Sequence, residues 1–174
     1  GNAKRDKNPA MLARFGEFVE GLSGRYVTAK DVGIGADDLR AIKTKTKHIL
    51  GIDGEPGSSG DPSPCTAWGV YHGIKACLGF QRGNDSLSGV TIALQGLGSV
   101  SFHLLDHLNR EGAKVVACDI DEAAIQRARS KTPGIKIVSP DAIFDEPCDV
   151  FSPSALGGAI NVSTRPRIKA KIVA

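Results

Sequence analysis

The sequence predicts an α/β fold in which a doubly wound parallel sheet follows part of a smaller α/β unit. Three observations lead to this prediction. From residue 90 onward, short apolar runs alternate with amphipathic helical segments, the order that builds parallel βαβ units. The first of these runs leads into a glycine turn, Gly96-Leu-Gly-Ser-Val-Ser101. Residues 51–64 are dense in Gly, Ser, Asp and Pro, which indicates a linker or a binding loop between two units.

The N-terminal region contains two predicted helices. Residues 9–22 carry apolar side chains at helical spacing and are followed by Gly24, a natural stop, so they predict an amphipathic helix. Residues 25–28 predict a short strand, residues 31–35 a loop, and residues 36–47 a second helix. This region therefore mixes helix and strand.

The C-terminal region alternates strand and helix more regularly. After a helix over residues 65–78, the predicted strands cover residues 90–95, 114–119, 135–138, 149–151 and 168–174, with helices over 99–111 and 121–130. The chain begins without Met and stops within an apolar run, so we expect a fragment or a short natural form.

Composition excludes several classes of protein. Hydrophobic residues make up 41% and charged residues 24%, as in a globular chain. The sequence contains no apolar stretch of about 18 residues or more and no signal-peptide pattern, which predicts a cytoplasmic protein without a membrane partner. The net charge of +3 is modest and the basic residues are interspersed with acids, which argues against nucleic acid as a partner.

The sequence also predicts no metal site. The four cysteines, at positions 65, 77, 118 and 148, lack the paired spacing of zinc ligands and are typical of reduced thiols. His103 and His107 share one predicted helical face, but a zincin would need Glu where Leu104 stands. We therefore interpret both histidines as ordinary helix residues.

The glycine turn predicts a dinucleotide site. Gly96 would allow a sharp turn, Gly98 would let the backbone approach a pyrophosphate, and position 101 would pack where helix meets strand. The N-terminus of the following helix, from Ser99 and Val100, would then receive the phosphate charge. Ser101 stands where Gly or Ala is usual, so the motif alone is weak.

Asp119 strengthens this prediction. It lies 23 positions after Gly96, close to the roughly 20-residue spacing of the acid that binds a ribose. A carboxylate there repels a 2′-phosphate, and Ile120, Asp121 and Glu122 supply no compensating cation, so NAD is favoured over NADP. The alternative is that Asp119 caps a helix over residues 121–129.

Several segments together resemble the leucine/phenylalanine/valine dehydrogenase branch of the amino-acid dehydrogenases. These segments are GRYVTAKDVG at 24–33, GSSGDPSPCTAWGVY at 57–71, QGLGSVS at 95–101 and SALGGAIN at 154–161. The resemblance implies NAD-dependent oxidative deamination of an apolar or aromatic L-amino acid to its 2-oxo acid, with release of ammonia. It also implies a homo-oligomer whose subunit has a partial substrate domain at residues 1–60 and a C-terminally incomplete Rossmann-type NAD domain at 61–174.

The resemblance assigns roles to individual residues. It makes Asp31 a cleft carboxylate that exchanges protons with the substrate amine, a task suited to a water-poor site. It implies that Thr66 contacts the nicotinamide carboxamide and that the backbone of Ser154 and Ala155 lies beneath the nicotinamide ribose. Leu97 and Ile120 belong to the two nucleotide-binding turns. Taken without the resemblance, Asp31 is a turn residue, Thr66 a helix N-terminal hydroxyl, and residues 154–155 part of a strand-to-helix loop.

The departures from this family matter as well. Its two lysines, one catalytic and one that binds the substrate carboxylate, are expected upstream of Gly1, and its asparagine-rich loop beyond Ala174. The positions of Lys4, Lys7 and Lys30 do not match those of the two family lysines. Lys30 also stands where the family usually has an acid, directly before the catalytic aspartate. We therefore expect the middle of a subunit that is not catalytic by itself. A non-catalytic NAD-binding or assembly module and a glutamate dehydrogenase relative remain as alternatives, and the choice of amino acid stays open.

Overall fold

A computed structural model describes residues 3–174, with side chains from Arg5 onward. The chain forms two compact units, an N-terminal unit that ends at Pro62 and a C-terminal unit that runs from Ser63 to Ala174. The helices are α1 (Ala3–Asp6), α2 (Pro9–Gly21), α3 (Ala36–Lys43), α4 (Ser63–Arg82), α5 (Ser99–Arg110) and α6 (Glu122–Lys131). The strands are β1 (Thr91–Gln95), β2 (Lys114–Cys118), β3 (Lys136–Ile137), β4 (Val150–Pro153) and β5 (Ile172–Val173).

Helix α2 begins and ends close to its predicted bounds, but its buried face is narrower than its apolar pattern predicts. Pro9 opens the helix, and the Asn8 side chain caps it by accepting from Met11 N at 3.0 Å. Leu12 and Val19 are buried, whereas Met11, Phe15 and Phe18 are 48%, 39% and 64% exposed.

The reason for the narrow face is Gly16. A Cβ at this position would lie 2.7 Å from the backbone oxygen of Ile42, so only glycine allows α2 and α3 to approach this closely. The side of α2 that carries Gly16 therefore faces α3, and the apolar side chains beside it stay exposed. The core of the unit consists of Leu12, Leu39, Ile42, Ile49 and Ile52.

Two predictions for the N-terminal unit are wrong. The predicted strand over residues 25–28 is reduced to one isolated parallel bridge between Thr28 and Ile49. The predicted helix over residues 36–47 ends at Lys43. Residues beyond its end turn toward Glu20, whose carboxylate accepts from Thr46 Oγ1 at 2.8 Å and from Lys47 N at 3.2 Å. Contacts to a residue distant in sequence thus hold the segment predicted to continue α3.

The C-terminal unit confirms the predicted α/β fold with a parallel sheet. Its strand order is β3-β2-β1-β4-β5, and every pair is parallel. Helices α4, α5 and α6 contribute to the core on one face, while the 3-10 helix Ala142–Phe144 and Phe151 belong to the core on the other. The strand order reverses between β1 and β4, where ligands bind in open sheets of this kind.

The largest differences from the predicted bounds in the C-terminal unit are at α4 and β5. Helix α4 starts before the predicted residues 65–78 and continues to Arg82, whose guanidinium contacts Asp149 Oδ1 at 2.6 Å. The predicted strand over residues 168–174 is limited to Ile172–Val173, and the residues just before it, 165–167, form a 3-10 helix. The guanidinium of Arg167 holds that segment by contacting Asp141 at 2.8 Å and Asp145 at 2.6 Å.

No helix among residues 3–174 has the length and apolar character needed to cross a membrane.

Glu111, just after α5, connects α5 with α4. Its carboxylate accepts hydrogen bonds from Lys75 Nζ at 2.8 Å, from the Tyr71 hydroxyl and from Leu87 N at 3.2 Å. The hydrogen bonds from Lys75 and Tyr71 lower the pKa of Glu111 below its ordinary value, against the opposing effect of partial burial.

We expect Glu111→Gln to reduce the loss in free energy of unfolding that occurs as pH falls. Because the pKa of Glu111 is lower in the folded state, its contribution to stability is present above about pH 4.3 and is lost as pH falls through the folded-state value. The difference in free energy of unfolding between wild type and Glu111→Gln should therefore shrink from about pH 7 to about pH 3, measured by urea denaturation. Tyr71→Phe, which removes one donor, should show a smaller version of the effect. A difference that is independent of pH would contradict this prediction.

Candidate functional site

The loops after β1 and β4 meet at Gly96. This residue has φ +93°, and a Cβ there would lie 2.8 Å from the Ser154 oxygen and 3.1 Å from Ala155 N. Its amide donates to the Cys118 oxygen at 2.9 Å, which joins it to the end of β2 as well. Glycine is required here for two reasons, the left-handed backbone and the close approach. The structure thus brings together Gly96, Ser154 and Ala155, which are far apart in sequence.

Gly98 has a different environment. It is the N-cap of α5 with φ −70°, and a Cβ there would meet no described atom within 4 Å. No side chain among the described residues caps α5, whose first residues are the exposed Ser99 and the half-buried Val100. An open approach to an uncapped helix N-terminus is what a bound phosphate requires. These residues fit a pyrophosphate.

Asp119 joins two turns. Its Oδ2 accepts from Leu97 N at 2.6 Å and its Oδ1 from Asp121 N at 2.8 Å. The alternative that Asp119 caps α6 is wrong, because Asp121 is the N-cap and accepts from Ala123 N at 3.0 Å. The Asp119 carboxylate therefore lies at the carboxyl end of β2, half-buried, beside Ile120, which is 90% exposed.

Three buried oxygens near this end of the sheet lack hydrogen-bond partners among residues 5–174. They are Gln95 Oε1 at the end of β1, Ser152 Oγ in β4 and Ser101 Oγ in the first turn of α5. The sequence prediction did not include Gln95 or Ser152. The available signal was a polar residue within an otherwise apolar strand, close to a predicted glycine turn.

We expect Ser101→Ala to stabilise the protein. The Ser101 side chain is completely buried and its hydroxyl is unpaired, so removing the hydroxyl should raise the free energy of unfolding by about 1 kcal/mol. Ser99→Ala, at an exposed position of the same helix turn, is the control and should change it by less than about 0.5 kcal/mol. Urea denaturation of both variants measures the difference. A loss of stability in Ser101→Ala alone would mean that the hydroxyl has a partner in solution.

Thr66 and Asp31 belong to other elements of the chain. Thr66 is an exposed residue in the first turn of α4, within the C-terminal unit. Asp31 belongs to the N-terminal unit and is also exposed. Its Oδ1 accepts from Val32 N at 2.7 Å and its backbone oxygen from Ile34 N at 3.0 Å, so it forms a tight turn.

The cysteines are all unpaired thiols in the structure. Burial raises the pKa of the Cys118 thiol, which lies in β2 behind the glycine turn. Among the side chains that the structure describes, no group of three or more His, Cys, Asp or Glu is arranged to hold a metal ion.

Known proteins resemble this chain along its whole length. It is 48% identical over 174 residues to leucine dehydrogenase of Geobacillus stearothermophilus, covering all of this chain and 47% of that protein. It is 40% identical over 177 residues to phenylalanine dehydrogenase of Lysinibacillus sphaericus, covering 99% and 46%. The crystal structure of L-tryptophan dehydrogenase from Nostoc punctiforme superimposes with a TM-score of 0.69 at 34% identity, covering 97% of this chain and 47% of that one. No family model matches the sequence.

These similarities confirm the resemblance inferred from four short segments and extend it over the entire chain. The chain spans about half the length of the curated relatives it matches. The fold agrees as well, since the solved relative shares the arrangement of helices and parallel strands. Over its whole length the chain is therefore a homologue of leucine, phenylalanine and tryptophan dehydrogenases.

Proposed function

We propose that the protein carrying this chain is an NAD-dependent dehydrogenase that oxidatively deaminates an apolar or aromatic L-amino acid to its 2-oxo acid and ammonia. One observation carries the proposal: the turns at Gly96, Asp119 and Ser154 converge at the carboxyl ends of β1, β2 and β4. Its location is the switch point of a parallel sheet. The names of the relatives indicate the class of substrate.

The dinucleotide would be held by residues of the C-terminal unit. The N-terminus of α5 and the open space at Gly98 suit the pyrophosphate. Asp119 suits the adenosine ribose, because each carboxylate oxygen keeps acceptor capacity beyond the one backbone N–H it binds. The remaining proposed contacts are made by Thr66, Leu97, Ser99, Val100, Ile120, Ser154 and Ala155, while the completely buried Ser101 would pack beneath the site.

The preference for NAD over NADP follows from charge. A 2′-phosphate beside Asp119 would meet a carboxylate that two backbone amides keep oriented, and like charges repel. Ile120, Asp121 and Glu122 provide no cation to offset that repulsion. The ribose of NAD instead presents hydroxyl donors to the same carboxylate.

The chemistry assigns one role to the cofactor and one to Asp31. When bound, NAD would supply the acceptor for the hydride that leaves the amino acid's Cα. Asp31 exchanges a proton with the substrate amino group, for which a carboxylate is a suitable acid or base. The hydrogen bond from Val32 N to Asp31 Oδ1 orients that carboxylate. In this proposal the N-terminal unit is part of a substrate domain and the C-terminal unit is the NAD domain, in a cytoplasmic homo-oligomer.

The test is an activity and binding assay of the full-length protein. We expect NAD-dependent oxidation of leucine, valine, phenylalanine or tryptophan, with weaker activity toward glutamate and with NADP. Asp31→Asn should lower kcat by about a hundredfold or more while the affinity for NADH, measured by calorimetry, stays within about twofold. Saturable NADH binding without any turnover would support a non-catalytic NAD-binding or assembly module instead. A preference for glutamate would support a glutamate dehydrogenase relative.

A further inference from the structure

The turn that carries Asp31 is held on both sides by lysine side chains. On its N-terminal side, Lys30 Nζ donates to the Asp61 carboxylate. On its C-terminal side, Lys7 Nζ donates to the backbone oxygen of Gly33 at 2.9 Å and also binds Asp38. Each lysine comes from within the N-terminal unit, so the two anchors belong to one compact body.

The backbone on either side of Lys30 is held by hydrogen bonds and close packing. Thr28 N donates to the His48 oxygen at 3.0 Å, and Leu50 N donates to the Thr28 oxygen at 2.8 Å, which fixes the chain two residues before Lys30. Gly51 packs directly on Lys30, since a Cβ at Gly51 would lie 3.1 Å from Lys30 N. The start of the turn therefore has little freedom to move as long as these contacts persist.

The other end of the ion pair is anchored too. Asp61 N donates to Asp53 Oδ1 at 2.7 Å, within the polar segment of residues 51–64. The side chains of Lys30 and Asp61 are 21% and 26% exposed, so water screens this pair less than a fully exposed one. For comparison, the pair formed by Lys43 and Glu55 in the same unit is 42% and 34% exposed.

We propose that Lys30 is a positioning residue, whose ion pair with Asp61 holds the Asp31 carboxylate where proton transfer to the substrate amine requires it. This inference rests on the proposed function. An exposed turn without such anchors samples many conformations, and a small displacement of a reacting group is costly in rate. A carboxylate at position 30, where the resembled family usually has an acid, would in this chain face Asp61 and repel it, so the positive charge of Lys30 matters because Asp61 is its partner.

The activity test compares charge changes at this pair in the full-length protein. Lys30→Glu should lower kcat by about tenfold or more, because a displaced catalytic group loses rate steeply, while the affinity for NADH changes by less than about twofold. Asp61→Lys should act in the same direction. The double variant Lys30→Glu/Asp61→Lys restores the opposite charges and should recover kcat to within about threefold of wild type, a non-additivity that shows direct coupling.

The matched control is the ion pair between Lys43 and Glu55 in the same unit. Lys43→Glu and Lys43→Glu/Glu55→Lys make the same changes of charge at the exposed end of α3, at a pair that, among the described residues, forms no hydrogen bond or ion pair with Lys30 or Asp31. Both should leave kcat within about twofold of wild type, as for surface ion pairs in general. An equal loss of kcat in Lys43→Glu would mean that charge reversal anywhere in the unit is harmful, and would overturn the role of Lys30.

A second readout does not depend on catalysis. Amide hydrogen exchange at Val32 and Ile34, whose N–H groups are bonded to Asp31, should become faster in Lys30→Glu and return to the wild-type rate in the double variant. If wild type shows no dehydrogenase activity but exchange responds as expected, the proposed function fails and the anchoring of the turn stands. If wild type is active but neither exchange nor kcat responds to Lys30→Glu, the positioning role of Lys30 fails alone.

Discussion

Gly96→Ala is expected to destabilise the protein by about 3–5 kcal/mol, the sum of a strained left-handed backbone and an overpacked contact. The φ of +93° disfavours any side chain, and the added Cβ would lie 2.8 Å from the Ser154 oxygen. This neighbour is backbone, which cannot rotate away as a side chain would. Moving it would separate the turns after β1 and β4, so NADH binding should be lost together with stability.

Gly98 is the control for Gly96 because it lies two residues away in the same turn. Gly98→Ala should change the free energy of unfolding by less than about 1 kcal/mol, since its φ is −70° and a Cβ meets no described atom within 4 Å. Gly98→Val should also fold, but should weaken NADH binding by about a hundredfold or more, because its side chain fills the space that a pyrophosphate needs.

Urea denaturation and calorimetry with NADH separate the two glycines. The expected pattern is loss of stability for Gly96→Ala and loss of binding in a stable Gly98→Val protein. Two stable variants that both bind NADH with wild-type affinity would overturn the dinucleotide site. A stable Gly96→Ala protein would show that the loop after β4 can move away from β1.

Asp119→Ala is expected to affect stability and nucleotide binding together. The substitution removes the acceptor of two backbone amides, Leu97 N and Asp121 N, which should cost about 2–3 kcal/mol of stability for a half-buried charged acceptor. It should also weaken NADH binding by about tenfold or more, as the ribose loses its partner and the turn at Leu97 loosens.

Asp119→Asn and Asp121→Ala distinguish the charge of Asp119 from its structural role. Asn keeps an acceptor oxygen but not the negative charge, so its main effect should be a smaller preference for NADH over NADPH. Asp121→Ala removes only the cap of α6, which should cost about 1 kcal/mol of stability and leave the nucleotide preference unchanged. The preference is measured by titration with both nucleotides. An unchanged preference in Asp119→Asn would refute the role of its charge in selecting NAD.

Much of the secondary structure could be predicted because its signals are local. The period of apolar residues identified α2 and α5, and β-branched runs identified β1 and β2. The glycine turn between β1 and α5 and the acid after β2 also follow from short patterns. Their binding roles remain predictions, but their location at the same end of a parallel sheet follows from the alternation of strand and helix.

The features that the prediction missed depend on residues far apart in the chain. Glu20 holds Thr46, which lies 26 residues away and beyond the end of α3, and the Ile42 backbone decides which face of α2 is buried. Likewise, the approach of Ser154 to Gly96 and the pairing of Lys30 with Asp61 join segments that no local pattern connects. By itself, the sequence determined the elements, their order and the resemblance to a family, because propensity and periodicity act within a few residues. The tertiary structure alone decided which turns meet, which apolar faces are covered and which charges pair, because those contacts exist only once distant segments have folded together.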